Sequence, residues 1–361
     1  MITAIKTILP SLKNLSIENL SDHVCSLGEP LFRAQQLMKW IYQKRLESFD
    51  PMNNIPKKSK LLFKENYSLK KLTQLYCLES KRKDAVKFGF ATADDAGIIE
   101  SVLLYDNDRR TACLSSQLGC GLGCVFCATA KMGLIRNLSQ EEIIGQLIGM
   151  NDYCAAKKDK LVTNVVFMGM GEALSNFDAF MSSLRILMHE DAFTIGARRI
   201  TVSTAGVVPS IERLMEQDLT IGLAISLNTY NNPRRDRIMP INTKYPIEAL
   251  IDSARRYEQK TKRPVTFEYV VVEGENDTAE AIRALVLLLK GLKCKINVIP
   301  LNPAGGLSAP SPSEKKLQLF ADALFNGGLS ATVRKSRGRD ISGACGQLCG
   351  EKRPHAATCV S

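Results

Sequence analysis

From about residue 111 onward, short strand-like runs alternate strictly with helical patterns, and this alternation limits the possible folds more than any other feature of the chain. The strand-like runs are TACLSSQ, TNVVFMGM, RRITVST, LAISLN, VTFEYVVV and KINVIPLN; helical periodicity begins near Ser139, Phe177, Val208, Ile247, Thr278 and Pro312. Strand and helix in turn imply βαβ units, right-handed crossovers and a parallel sheet. Six such units with no GxGxxG after the first strand predict an α/β barrel or partial barrel. Such folds carry their chemistry at the C-terminal ends of the strands. Unusual residues collect there: a cysteine cluster after the first strand, then GMGE, STAG, SLN and PLNP.

The rest of the chain reads differently. AVKFGFATADDAGIIESVLLY holds two apolar runs around a DDAG turn, which predicts a β-hairpin extension over 84–110. Upstream, LFRAQQLMKWIYQK spaces Leu37, Trp40 and Ile41 as one face of a helix with basic and amide residues between them. Asn53, Asn54 and Pro56 break the pattern before a second helical stretch near Lys58 to Asn66. Residues 1–83 are thus expected to form a small basic helical module, with nucleic acid as its contact. The barrel and its last loop are assigned to 111–348, and 349–361 to a C-terminal tail.

A chain of 361 residues with 45% hydrophobic and 24% charged residues is a folded one. Its 48 Lys plus Arg against 37 Asp plus Glu give +11, which suits a polyanionic partner but would also serve solubility alone. No apolar run is long enough to cross a bilayer, and MITAIKTILPSLKNLS is interrupted by Lys6, Pro10 and Lys13, so a cytoplasmic location with no membrane partner is expected.

Eleven cysteines scattered irregularly argue against a disulfide framework and for reduced thiols with metal or redox chemistry. In CGLGCVFC, Cys120, Cys124 and Cys127 fall within eight residues, and none of the three histidines lies near them. Three thiolates are one short of a structural zinc site. They can hold a [4Fe–4S] cluster with one iron left open, the glycines Gly119, Gly121 and Gly123 letting the backbone wrap closely. A zinc site completed by Cys113 or a distant residue, or a chance grouping of buried cysteines, are the alternatives.

CGLGCVFC resembles the signature of radical S-adenosylmethionine (SAM) enzymes, in which the open iron binds SAM and one electron cleaves it to a 5′-deoxyadenosyl radical. CLSSQLGCGLGCVFCATAKMGLIRNLSQEEIIGQ, NVVFMGMGE, ITVSTAGVVPSIERL, MPINTKYPI and ACGQL together resemble the RlmN/Cfr family of radical SAM RNA methyltransferases, and LFRAQQLMKWIYQK with SFDPMNNIPK is similar to that family's accessory domain. The likeness covers nearly the whole chain. It implies a partial (βα)6 TIM-type barrel with a small N-terminal helical domain, a [4Fe–4S] cluster on Cys120, Cys124 and Cys127, and SAM at Gly171, Glu172, Ser203, Ser226, Leu227, Asn228 and Asn302.

The resemblance further implies methylation of an adenine at C2 in 23S ribosomal RNA, and in tRNA as a further substrate. Cys345 would take a methyl group from one SAM; the radical from a second would remove a hydrogen from that methyl, and the resulting carbon radical would add to the adenine. Cys113 would resolve the covalent adduct, ending in a Cys113–Cys345 disulfide that a thiol reductant must reopen, with Glu100 as proton acceptor and an electron donor feeding the cluster. The basic flank KSRGRDISGACGQL predicts a lowered Cys345 pKa. Lys131, Arg136, Arg234, Arg235, Arg237, Lys335, Arg337 and Arg339 would line a phosphate-binding entrance. Two positions depart from the family: Ala173 stands where proline is usual and Asn228 where histidine is usual. Methylation at C8 instead of C2 is one alternative, and a non-catalytic, metal-binding RNA-interaction protein with zinc at the cysteines is another.

Overall fold

The computed structural model describes residues 9–302 and 311–350; Cys359 and the tail beyond residue 350 lie outside the described residues. Three helices come first: α1 (Ile17–Ser26), opened by the Ser16 hydroxyl accepting from the Asn19 N–H, α2 (Phe32–Met38), which continues as a π turn over Lys39–Gln43, and α3 (Lys57–Asn66). They bury Leu37 and Ile41 on the predicted apolar face, together with Val24 and Phe63. Polar contacts dock them on the remainder: Gln140 Nε2 donates to the carbonyls of Lys13 and Leu15, and Asp152 accepts from Arg45 and Lys71.

A ten-stranded sheet follows, its strands side by side in chain order apart from a separate two-stranded ribbon. Strands β1 (Gln74–Glu79), β2 (Ala85–Ala91), β3 (Ile98–Asp106) and β4 (Arg109–Cys113) are antiparallel neighbours. The chain then leaves the sheet: β5 (Gln117–Gly119) and β6 (Leu134–Asn137) pair with each other, and the cysteine loop and the short α4 (Ala128–Lys131) lie between them. The run TACLSSQ is therefore two strands in two sheets, not one.

Helix α5 (Gln140–Ala156) starts with a capping box, Ser139 and Glu142 each satisfying the other's backbone N–H. It leads to β7 (Asn164–Phe167), followed by α6 (Phe177–Met188), β8 (Ile200–Thr204), α7 (Val208–Met215), β9 (Gly222–Ser226), α8 (Asn232–Ile238), α9 (Ile247–Thr261), β10 (Val265–Val271), α10 (Ala279–Leu288), β11 (Cys294–Pro300), α11 (Glu314–Asn326) and β12 (Ser330–Val333). Pairing is parallel from β4 through β7 to β12, so six crossovers connect seven parallel strands in an open sheet. This is the partial barrel expected, with a seventh strand that the pattern did not show. Strand β1 falls inside the stretch read as helical. Among the described residues no helix is long and apolar enough to cross a membrane.

Candidate active site

The C-terminal ends of the parallel strands open on one cavity. Its wall holds Cys120, Cys124 and Cys127, then Gly171 and Glu172 after β7, Ser203 in β8, Ser226 and Asn228 at the end of β9, Asn302 after β11, and Cys345. Leu227, the remaining expected cofactor residue, is fully buried off this wall; its N–H donates to the Glu268 carbonyl.

Backbone geometry explains the glycines. Gly119 has φ +78°, and a Cβ there would lie 1.9 Å from the Gly133 carbonyl oxygen, so only glycine lets β5 meet the turn that returns to β6. Gly171 has φ +91°, and a Cβ would meet Gln117 at 2.4 Å. Burial pushes the Cys120 thiol up to about 11 and the Cys124 thiol higher still, with the neighbouring thiols and Glu172 adding to the effect. Cys120 and Cys124 therefore need a positively charged ligand to ionise together. A single zinc ion needs its sulfurs at about 2.3 Å from one point. Among the described residues no group of three or more His, Cys, Asp or Glu is gathered to hold a single ion.

Two buried oxygens on the wall lack partners. Glu172 Oε2 accepts from the Ala205 N–H at 2.9 Å while Oε1 has none, and burial pushes this carboxyl up to about 7. Asn302 donates from Nδ2 to the Cys345 carbonyl at 3.2 Å, leaving Oδ1 alone. Unpaired buried acceptors are costly, and both of these lie on the cavity wall.

The two positions that depart from the family behave differently. Ala173 is buried at the start of a 3₁₀ turn, Ala173–Ser175. Asn228 has φ +59°, a left-handed conformation that asparagine tolerates better than most residues. Its Oδ1 accepts from the Val270 N–H at 2.9 Å and its Nδ2 contacts the Met239 sulfur, so the side chain chiefly ties β9 to β10.

Beyond Cys345 lies a second cavity, lined by Cys113, Cys127, Met168, Arg334, Lys335 and Arg337 among others, and Cys345 and Cys127 belong to both walls. Cys113 ends β4 and is buried; burial pushes its thiol up to about 12, with Cys345 adding to the rise. Cys345 opens onto the cavities but has protein packed around the rest of it, and burial raises its thiol too. This corrects the expected lowering: the Arg334 guanidinium does pull both thiols down, but desolvation outweighs it. Arg334 is itself held by Glu268 at 2.9 Å. Both thiols are free.

Glu100 is completely buried and lies off both cavity walls. Its Oε1 pairs with Lys87 Nζ at 2.5 Å and accepts from the Tyr76 hydroxyl at 2.5 Å; Oε2 accepts from the N–H groups of Cys349 and Gly350 at 2.8 and 3.1 Å. Sheet register produces this clamp. Tyr76 stands opposite Gly89, and Gly89 opposite Glu100, so the missing side chain at Gly89 lets the Tyr76 ring lie across β2 to reach β3. Lys87, two residues along the same face, also donates to the Ser342 carbonyl. The Lys87–Glu100 pair thus anchors the loop carrying Cys345 at both of its ends.

The expected basic entrance is only partly present. Arg235 is fully buried, which removes it from any surface; Arg136 is bound by Asp94 and Glu142, Arg234 by Glu275, and Arg337 by Asp106. Arg339 donates to the Leu301 carbonyl. Lys335 and Arg337 line the second cavity, joined by Arg334, which the sequence reading missed along with Glu268, Lys87 and Tyr76.

The family model described as ribosomal RNA large subunit methyltransferase N-terminal domain matches residues 11–68, and that of the radical SAM superfamily matches 114–286. The dual-specificity RNA methyltransferase RlmN of Geobacter sulfurreducens is 42% identical over 340 residues, covering 94% of this chain and 92% of the relative. That of Marinobacter nauticus is 42% identical over 329 residues, covering 90% and 88%. The crystal structure of a radical SAM methyltransferase from Sphaerobacter thermophilus superposes with a TM-score of 0.90 at 40% identity, over 95% of this chain and 100% of that one. A barrel with its thiols on one rim, a matching N-terminal module and relatives alike over 94% of the chain lead to one assignment: the chain belongs to the RlmN family of radical SAM RNA methyltransferases.

Proposed function

We propose that the chain methylates C2 of an adenine in 23S ribosomal RNA and in tRNA, using two SAM molecules and a methyl group carried on Cys345. The position of Cys345 carries this reading. Its thiol stands where the cavity walled by Cys120, Cys124 and Cys127 meets the basic cavity holding Cys113, so one sulfur can face SAM on one side and a nucleobase on the other.

The donor set fits the cofactors. Cys120, Cys124 and Cys127 would hold the cluster, which when bound supplies the electron that turns SAM into a hydrogen-abstracting radical. The unpaired Glu172 Oε1 suits the SAM amino group, and Ser203, Ser226 and the unpaired Asn302 Oδ1 suit its polar edges. Arg334 favours the Cys345 thiolate that must accept the first methyl group. Cys113, across the same cavity, would take over the Cys345 sulfur as the adduct breaks, giving the disulfide that a thiol reductant returns to two thiols. In this geometry Glu100 orients the Cys345 loop; the proton-accepting role implied by resemblance requires Cys349 and Gly350 to release its Oε2.

Lys335 and Arg337 would meet RNA phosphates at the second cavity, and residues 1–83 would add an RNA contact. The substrates place the protein in the cytoplasm. The relatives' dual-specificity name supports two RNA substrates. The test is nucleoside mass spectrometry of ribosomal RNA fragments and tRNA after anaerobic incubation with reconstituted protein, SAM and reductant. We expect 2-methyladenosine from both RNAs and none with Cys345→Ala; 8-methyladenosine, or unmodified RNA from a fully loaded protein, would overturn the proposal.

A further inference from the structure

Arg235 is a buried cation whose hydrogen-bond partners are all neutral. It sits in α8, fully buried, and its Nε, Nη1 and Nη2 donate only to the carbonyls of Leu227, Ala205 and Ser226 and to the Asn242 amide oxygen. Asp236 makes no hydrogen bond to it; it acts on the guanidinium through space and shares the Asn242 amide. Carbonyls satisfy a guanidinium's donors but do not neutralise its charge, and a buried charge without a counter-ion is strongly disfavoured. The chain carries that cost at a particular place. The carbonyl of Ile238, at the end of α8, accepts from the Val125 N–H at 3.1 Å, and Gly123 packs on Pro240, so the helix bearing Arg235 is bonded directly to the cysteine loop. Ala205 and Ser226, whose carbonyls hold the guanidinium, form part of the cavity wall. Cys124 and Arg235 each stabilise the other's charged form.

We infer that Arg235 is a built-in counter-ion for the iron–sulfur cluster on Cys120, Cys124 and Cys127, and that its fixed positive charge raises the cluster's reduction potential. The inference rests on the cluster reading proposed above. A three-thiolate [4Fe–4S] centre is anionic and gains a further negative charge on one-electron reduction, so a nearby buried cation favours the reduced form. Arg235 acts through the cluster, as a positioning residue for charge; it lies off the cavity wall and so does not meet SAM. Its four bonds also fix the ends of β8 and β9, which keeps that charge in place.

The test compares reconstituted wild type with Arg235→Met, Arg235→Lys and Asp236→Asn. Iron content and visible absorbance establish loading; an electron paramagnetic resonance redox titration without SAM then gives each midpoint. Arg235→Met should lower the midpoint by at least tenfold in the reduced-to-oxidised ratio, about 59 mV for one electron. Arg235→Lys, which keeps the charge while losing part of the fork, should stay near wild type, and Asp236→Asn should move the midpoint upward. A wild-type chain that takes up no iron would refute the cluster reading. A loaded Arg235→Met with the wild-type midpoint would overturn the present inference and leave that reading intact. Should Arg235→Met not fold, Asp236→Asn decides, and a midpoint unchanged or lowered there overturns the inference.

Discussion

Replacing Lys87 with methionine removes one charge from a completely buried pair while keeping much of the side chain's volume. Both Lys87 and Glu100 are shielded from solvent, and Glu100 would remain bonded to the Tyr76 hydroxyl and the two loop amides with no cation beside it. Breaking a buried pair on one side typically costs about 3–5 kcal/mol, chiefly because the surviving charge is stranded. The Ser342 carbonyl loses its donor as well, for about 1 kcal/mol more. The double variant Lys87→Met/Glu100→Gln strands no charge, and the glutamine can still meet the tyrosine and loop groups, so it should recover about 2 kcal/mol or more relative to additivity. Urea unfolding of the four proteins of this cycle measures the coupling, with midpoint shifts at unchanged slope reporting stability alone. Because Lys87 holds the Ser342 carbonyl ahead of Cys345 and pairs with the carboxylate that holds the loop after it, Lys87→Met should also lower methylation yield. A cost below about 1 kcal/mol for Lys87→Met, or full additivity in the cycle, would show that the pair does not hold the loop and would refute the reasoning.

Glu172 gives a pH signature in the cluster-free protein. With its carboxyl raised from 4.5 to about 7, the folded chain keeps a proton that the unfolded chain loses, so stability is fully present below 4.5 and falls by about 3 kcal/mol as pH rises to 7; Glu172→Gln should flatten that slope in urea titrations at successive pH values, and an unchanged slope would count against the raised carboxyl. Arg334→Met should slow alkylation of Cys345 at pH 8 by roughly tenfold per pKa unit of lost stabilisation, measured by mass spectrometry of the tryptic peptide, while an equal rate would show that Arg334 does not reach the thiol. Cys113, pushed up to about 12, should stay unlabelled under the same conditions. Gly119→Ala forces a Cβ onto the Gly133 carbonyl, costing more than the roughly 1 kcal/mol of left-handed strain alone, and should cut iron taken up per chain on reconstitution; wild-type iron content would show that the turn relaxes.

The six crossovers were legible because each rests on local periodicity: Phe177, Val208 and Ile247 begin their helices where the pattern begins, and Ser139, Thr278 and Ser313 cap theirs. Strand β12 was missed because SATV is short and half exposed at the sheet edge, and β1 because its pairing with β2 decides its state more than its composition does. The split of TACLSSQ depends on a partner, β6, whose own apolar residues Leu134 and Ile135 are exposed and so carry no burial signal. Non-local pairing of this kind leaves little trace in a window of residues.

The site divides along the same line. Motif residues on strand ends were legible, and all of those expected at SAM except Leu227 face one cavity. What sequence reading placed wrongly were charges judged by loop position: Arg235 reads as a rim residue and is the most enclosed cation near the cysteines. What it missed, or in Glu100 took only for a proton acceptor, were paired charges inside strands, and these did carry a signal. Lys87 in AVKFGFA, Glu100 in IIESVLLY and Glu268 in VTFEYVV each interrupt a run that is otherwise apolar. An ionisable side chain in a buried strand is disfavoured unless a partner is waiting, so each such interruption implies a second one elsewhere in the chain. Here Lys87 and Glu100 answer each other across adjacent strands, and Glu268 is answered by Arg334. Through Ser342, Cys349 and Gly350 on one side and the two thiols on the other, both pairs act on the loop that carries Cys345. Charges that look misplaced in strands of the sheet are therefore what hold and poise the residue on which the proposed chemistry turns.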